Sequence, residues 1–141
     1  MPIDHKNIRV LALALIKDHG RFLACAGFNK LNKKRHFRLL GGGVEFGESG
    51  IQALRREIKE ELGLSIFASK LISIEENRFV FNGLPGHEIV FLYQTSFRSK
   101  SAYSRDFFPI LDSGGDFQAE WFRRADLKKC HLYPRSAEKY I

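Results

Sequence analysis

The segment from Ser49 to Leu64 constrains the fold more than any other. Ile51, Leu54, Ile58 and Leu62 recur at three- and four-residue steps, the spacing of one stripe on a helix. Ser49 and Gln52 form a Ser-x-x-Gln capping box, which predicts a helix starting at about Gly50. Gly63 stands where a C-terminal cap glycine belongs. Strand-like segments lie on both sides. Residues 9–16 and 21–26 read as a hairpin with Gly20 in its turn. Residues 27–35 read as a polar, basic loop, and residues 36–40 as a short strand feeding a flexible loop of Gly41, Gly42 and Gly43. After the helix, residues 71–82 and 87–97 read as the arms of a second hairpin around residues 83–86. Residues 98–116 read as irregular, 117–122 as a strand, and Pro134 as the start of a short terminal helix. One helix among strands predicts a mixed α/β domain, single over residues 1–141.

Composition narrows the partners. Hydrophobic residues make up 44% and charged residues 28% of the chain, values of a globular domain rather than a disordered one. Lys plus Arg is 23 and Asp plus Glu is 16, a net charge of +7, which favours an anionic partner. Cys25 and Cys130 belong to no Cys-x-x-Cys pair, so reduced thiols and a cytoplasmic setting are expected. No run approaches membrane-spanning length, so no membrane partner is expected.

Against that basic background the helix gathers acids. Glu57 and Glu61 are four residues apart, and Glu60 is three beyond Glu57, spacings that make neighbours on a helix surface. Glu57 and Glu61 are expected at the edge of the apolar stripe, neither deep in the core nor on the far face. Like charges so placed repel, and a divalent cation removes the repulsion. Carboxylate oxygens suit Mg²⁺, which takes substrate phosphates at its other positions. The glycines allow close approach of backbone to a ligand or metal. Arg56 is expected to fold the loop back by pairing with Glu48.

This segment resembles the Nudix box. Gly42 is followed by five unspecified residues and Glu48, then by seven more and Arg56, Glu57 and Ile58, with Glu60, Glu61, Gly63 and Leu64 completing the pattern. The resemblance implies an α/β/α sandwich with a mixed β-sheet. It implies hydrolysis of a nucleoside diphosphate linked to another moiety, a nucleoside triphosphate or related nucleotide, with Mg²⁺ or Mn²⁺ as cofactor. It makes Glu57, Glu60 and Glu61 the metal ligands, with the carbonyl of Gly41 as a further one, and Arg56 and Glu48 the pair that fixes the loop. Phe46 and Leu40 stand where proline is common in the family, changes that bear on loop stiffness more than chemistry.

The general base stays open among Glu60, Glu88, Asp116 and Glu120. Glu88 sits in a His-Glu pair that is no zinc-protease signature, because Phe91 stands where the second histidine would be. Candidate substrate contacts are Arg38, Phe79 and Glu88, and aromatics Phe79, Phe81 and Tyr93 are candidate stacking partners for a base. Phe79 replaces the downstream proline that marks the ADP-ribose group, and the coenzyme A signature is absent. The rival readings are a Nudix-like nucleotide sensor without turnover and a hydrolase acting on RNA 5′ ends. The sequence shows no aromatic-basic RNA motif, so nucleic acid is the less favoured partner. A homodimer is left open.

Overall fold

The computed structural model describes residues 7–29, 34–113, 117–128 and 130–141. β1 (Arg9–Asp18) turns into β2 (Arg21–Asn29) through His19 and Gly20, both at positive φ, the backbone of a two-residue hairpin turn. β3 (Lys34–Arg38) and β4 (Leu40–Gly43) lead to α1 (Gly50–Leu62). β5 (Lys70–Phe81) and β6 (Leu84–Thr95) form the long second hairpin, and β7 (Phe107–Pro109), β8 (Gln118–Arg123) and β9 (His131–Tyr133) complete the sheet. The strand order is β5-β6-β1-β2-β3-β9, with β4 beside β1, β8 beside β2 and β7 beside β8. β1 runs parallel to β6 and antiparallel to β4, so the sheet is mixed, as expected.

β1 shows why the fold has three layers. Leu11 to Ile16 are all buried, a run without polar interruption that suits a strand covered on both faces. Ala12, Ala14 and Ile16 pack with Ala53, Leu54, Ile58 and Leu62 of α1. Leu11, Leu13 and Leu15 point the other way, into a core closed by Ala137, Tyr140 and Ile141. Each of those leucines contributes about 1.5–3 kcal/mol by leaving water. The 3₁₀ helix Arg135–Tyr140 is the outer layer on that side, with Pro134 as its cap residue. No helix among the described residues is long and apolar enough to cross a membrane.

α1 starts and stops where its caps dictate. The Ser49 hydroxyl accepts from the Gln52 N–H, and the Gln52 side chain accepts from the Ser49 N–H. Gly63, at φ 70°, gives its N–H to the Lys59 carbonyl.

Four expectations change. The glycines are not a loop: Gly41, Gly42 and Gly43 are buried in β4 and pair with β1. The basic connection is shorter than 27–35, because Gly27 pairs with His36 and carries β2 on to Asn29; residues 30–33 lie outside the described residues. The second hairpin turns at Asn82 and Gly83, both at positive φ, rather than across 83–86, and Pro85 is a strand residue. The stretch 98–116 holds β7 and two 3₁₀ turns, Lys100–Ser104 and Leu111–Ser113, ordered because Ala102, Phe108 and Ile110 reach the core.

Candidate active site

β4 carries no side chains over three residues, and α1 lies across that bare strip. Glu57 and Glu61 are 8% exposed each, deeper than a position at the edge of an apolar stripe implies. The reason is the glycines. A Cβ on Gly42 would stand 2.4 Å from the Glu57 carboxyl carbon. The Gly41 N–H donates to Glu61 Oε1 at 2.9 Å. Val44 gives its N–H to the Val10 carbonyl, so ladder alternation turns the peptide groups of Gly43 and Gly41 away from β1. Those groups meet α1: the Gly43 carbonyl accepts from Arg56 Nη2 at 2.9 Å.

Arg56 ties the loop to the helix as expected. Its Nε and Nη2 donate to the two oxygens of Glu48, at 2.9 and 2.7 Å, a bidentate fork. Glu48 Oε1 also accepts from the Glu45 N–H at 2.9 Å. Bonding to Arg56 first, and to that N–H second, holds the Glu48 carboxyl down at about 2. Arg56 Nη1 donates to Glu57 Oε1 at 3.0 Å and lies 3.3 Å from Glu60 Oε2.

One guanidinium does not neutralise this many acids. Burial pushes the Glu61 carboxyl up to about 7, with Glu57 and Asp112 adding repulsion, while Arg38 and the Gly41 N–H act in the opposite direction. Burial likewise raises the Glu57 carboxyl, opposed by Arg56. Oxygens of Glu57, Glu60 and Asp112 lie within 4.8 Å of one another. Buried carboxylates short of counter-charge, in an all-oxygen set, fit a hard divalent cation rather than zinc or a soft metal.

Asp112 was not singled out by the sequence. It is one of three acids in residues 98–116, and nothing local distinguishes it from Asp106 or Asp116; the 3₁₀ turn Leu111–Ser113 packed against α1 brings it in. Asp116 lies outside the described residues. Glu120 pairs across the ladder with Ala24, and its charge, like those of Glu61 and Arg38, acts on the Cys25 thiol, which burial pushes up to about 12.

Glu88 stands elsewhere. It shares β6 alternation with Val90 and Leu92, on the face away from α1, and is 4% exposed. Its oxygens accept from the Tyr133 hydroxyl and from Arg9 Nη1. The sheet itself separates it from Glu57, so it is not a base for chemistry at α1. Tyr93 is also no stacking residue: it is buried in the α1 core, its hydroxyl against Gly50. Phe79 and Phe81 do form an aromatic arm. Phe79 meets Tyr133 edge-on at 5.8 Å between centroids, and Phe81 meets His36 at 5.2 Å. Arg38 pairs with Tyr133 across the β3–β9 ladder, and its charge acts on both Glu61 and Tyr133.

A model of the NUDIX domain family matches residues 5–140. Among curated proteins, the nucleoside triphosphatase NudI of Escherichia coli O139:H28 is 38% identical over 68 residues, covering 45% of each chain. The NudI of Salmonella arizonae is 41% identical over 64 residues, again 45% of each. The chain thus spans under half the length of the curated relatives it matches. Among solved structures, a MutT NUDIX hydrolase from Burkholderia pseudomallei superposes with a TM-score of 0.70 at 24% identity, covering 96% of this chain and 99% of that one. A NUDIX hydrolase from Nitrosomonas europaea gives 0.60 at 24% identity, covering 86% and 76%. Both show the same fold.

Proposed function

The chain belongs to the Nudix family, and from that premise we propose that it is a divalent-metal-dependent pyrophosphohydrolase. Its substrate is a nucleoside diphosphate linked to another moiety, with nucleoside triphosphates the first class to test, the class that the NudI relatives' name states. The observation that carries the reading is the pair of carboxylates, Glu57 and Glu61, buried against the three glycines of β4, with Glu60 and Asp112 at the rim.

Glu57, Glu60, Glu61 and Asp112 are the residues that would hold Mg²⁺ or Mn²⁺, with the Gly41 carbonyl beside them. A cation held there would neutralise charge on the diphosphate and acidify a bound water. The chain supplies position. Arg56 Nη1 orients Glu57 through one oxygen and the Gly41 N–H orients Glu61 through one oxygen, leaving the second oxygen of each for a ligand. Arg56 and Glu48 tie the loop of residues 44–49 to α1. Glu60, half-exposed and tied to Arg56 only at 3.3–3.5 Å, is the carboxylate freest to accept a proton from the attacking water. Arg38 neutralises a phosphate on the side facing the aromatic arm. Phe79, packed on Tyr133, is the candidate contact for the organic moiety. It shares with Glu88, Tyr133's hydrogen-bond partner, the side of the sheet away from the acids, so neither reaches the phosphates at α1.

Incubation with Mg²⁺ and a panel of nucleoside triphosphates is expected to yield a nucleoside monophosphate and pyrophosphate. Full turnover in excess EDTA would overturn the reading. Protons compete with the cation at Glu61. Its folded value, about 7, lies above the ordinary 4.5. Without metal, the contribution of this carboxyl to stability is complete below 4.5 and is lost as pH rises through about 7. Affinity for Mn²⁺ runs the other way and is expected to rise as pH passes about 7. Calorimetric titration on both sides of that pH measures it, and a flat profile would remove Glu61 from the ligand set.

A further inference from the structure

β5 ends the strand order, and among the described residues no strand lies along its outer edge. The turn at Asn82 and Gly83 makes Phe81 and Leu84 a hydrogen-bonded pair. Antiparallel alternation then commits the peptide groups of Phe79, Asn77 and Glu75 to β6 and turns those of Ile74, Glu76, Arg78 and Val80 outward. Pro85 agrees: it lies opposite Val80, where no N–H is required of it. The open edge stops at the irregularity between Leu71 and Ser73, where the Tyr140 hydroxyl donates to the Ile72 carbonyl at 3.0 Å.

An open edge accepts another strand unless its side chains forbid it. Here the outward residues are Ile74, Glu76, Arg78 and Val80, an apolar pair outside a pair of opposite charges. Ile74 is 57% exposed and Val80 68%. Glu76 meets His87 in its own chain through Oε2 at 2.9 Å. Arg78 makes no ion pair among the described residues.

We propose that this edge pairs antiparallel with the same edge of a second copy of the chain, about a two-fold axis at Asn77. In that register Glu76 lies opposite Arg78 of the other copy, and Ile74 opposite Val80. Every outward peptide group meets an outward peptide group, so each pair exchanges both hydrogen bonds. The apolar pairs are β-branched and leave water together. No neighbouring register does this. An axis at Glu76 or at Arg78 sets like charges face to face, which destabilises a ladder. An axis between residues sets outward groups against groups already committed to β6. The contact is isologous and closes at two copies. It involves no residue of the acidic cluster, so it stands or falls apart from the hydrolase reading.

Sedimentation equilibrium decides. The unaltered chain is expected to be a dimer. Glu76→Arg sets arginines against arginines, and Arg78→Glu sets glutamates against glutamates, so each variant alone is expected to be a monomer. Mixing the two restores both ion pairs, and the mixture is expected to dimerise, as is the double variant E76R/R78E. In the dimer the amides of Ile74, Glu76, Arg78 and Val80 are expected to gain protection from hydrogen exchange that Arg78→Glu loses. All the substituted positions are exposed, and melting curves check that the variants fold. A monomeric unaltered chain overturns the proposal. So does a dimer that survives both single charge reversals, or a mixture of the two variants that stays monomeric.

Discussion

Glu57→Gln and Glu61→Gln are each expected to fold and to lose more than about a hundredfold in hydrolysis, since charge stabilisation worth several kcal/mol is removed. Folding survives because each substitution keeps an acceptor where the structure uses one. The amide oxygen at position 57 still accepts from Arg56 Nη1, and that at position 61 still accepts from the Gly41 N–H. At Glu61 the substitution also removes a charge that is costly to bury, and burial is what pushes this carboxyl up to about 7. In EDTA near neutral pH, Glu61→Gln is therefore expected to melt higher than the unaltered chain while hydrolysing nothing. Melting curves with and without Mn²⁺, beside initial rates, separate these effects. Wild-type turnover in either variant would show that the carboxylate holds no cation.

Gly42→Ala is expected to damage the site through a single methyl group. Its Cβ would lie 2.4 Å from Glu57 Cδ and 2.6 Å from both carboxylate oxygens, so Glu57 must leave its place. Overpacking of this kind costs about 1–3 kcal/mol, and the displaced carboxylate takes metal binding with it. Gly42 is not among the glycines at positive φ, so the backbone itself tolerates alanine. That gives the prediction a sharp control. In a Glu57→Ala background the obstruction is gone, and Gly42→Ala is expected to cost little stability. A double-mutant cycle by chemical denaturation measures the difference. If Gly42→Ala costs the same in both backgrounds, the contact with Glu57 is not what requires a glycine.

Much of this was legible in the sequence wherever the cause is local. The ends of α1 follow from Ser49, Gln52 and Gly63, each acting within one turn. The Glu48–Arg56 pair follows from the box pattern, and its bidentate geometry agrees. What was not legible depends on partners far along the chain. Three glycines in a row suggest a loop, and only pairing with β1 makes them a strand. The burial of Glu57 and Glu61 depends on that strand, since periodicity along α1 does not reveal that the surface beneath it lacks side chains. Asp112 reaches the cluster through tertiary packing alone. Asn82 and Gly83 carry the strongest hairpin signal in their region, yet glycine and proline at 85–86 drew the predicted turn across them. Pro85 fits a strand only because its partner Val80 faces outward.

The parallel pairing of β1 with β6 has a consequence for how the site comes into being. Arg9 and Glu88 are partners 79 positions apart. Closing so long a loop is slow compared with forming a hairpin or a capped helix. The β1–β2 hairpin, the β5–β6 hairpin and α1 each draw on short-range contacts and need not wait for it. The bare strip is different, because β4 is held by β1, and β1 has a ladder partner on each edge only once β6 has arrived. The acids thus lie on an element able to form early, while their cradle belongs to one completed late. The burial that raises the Glu57 and Glu61 carboxyls depends on a strand whose own pairing closes across 79 positions.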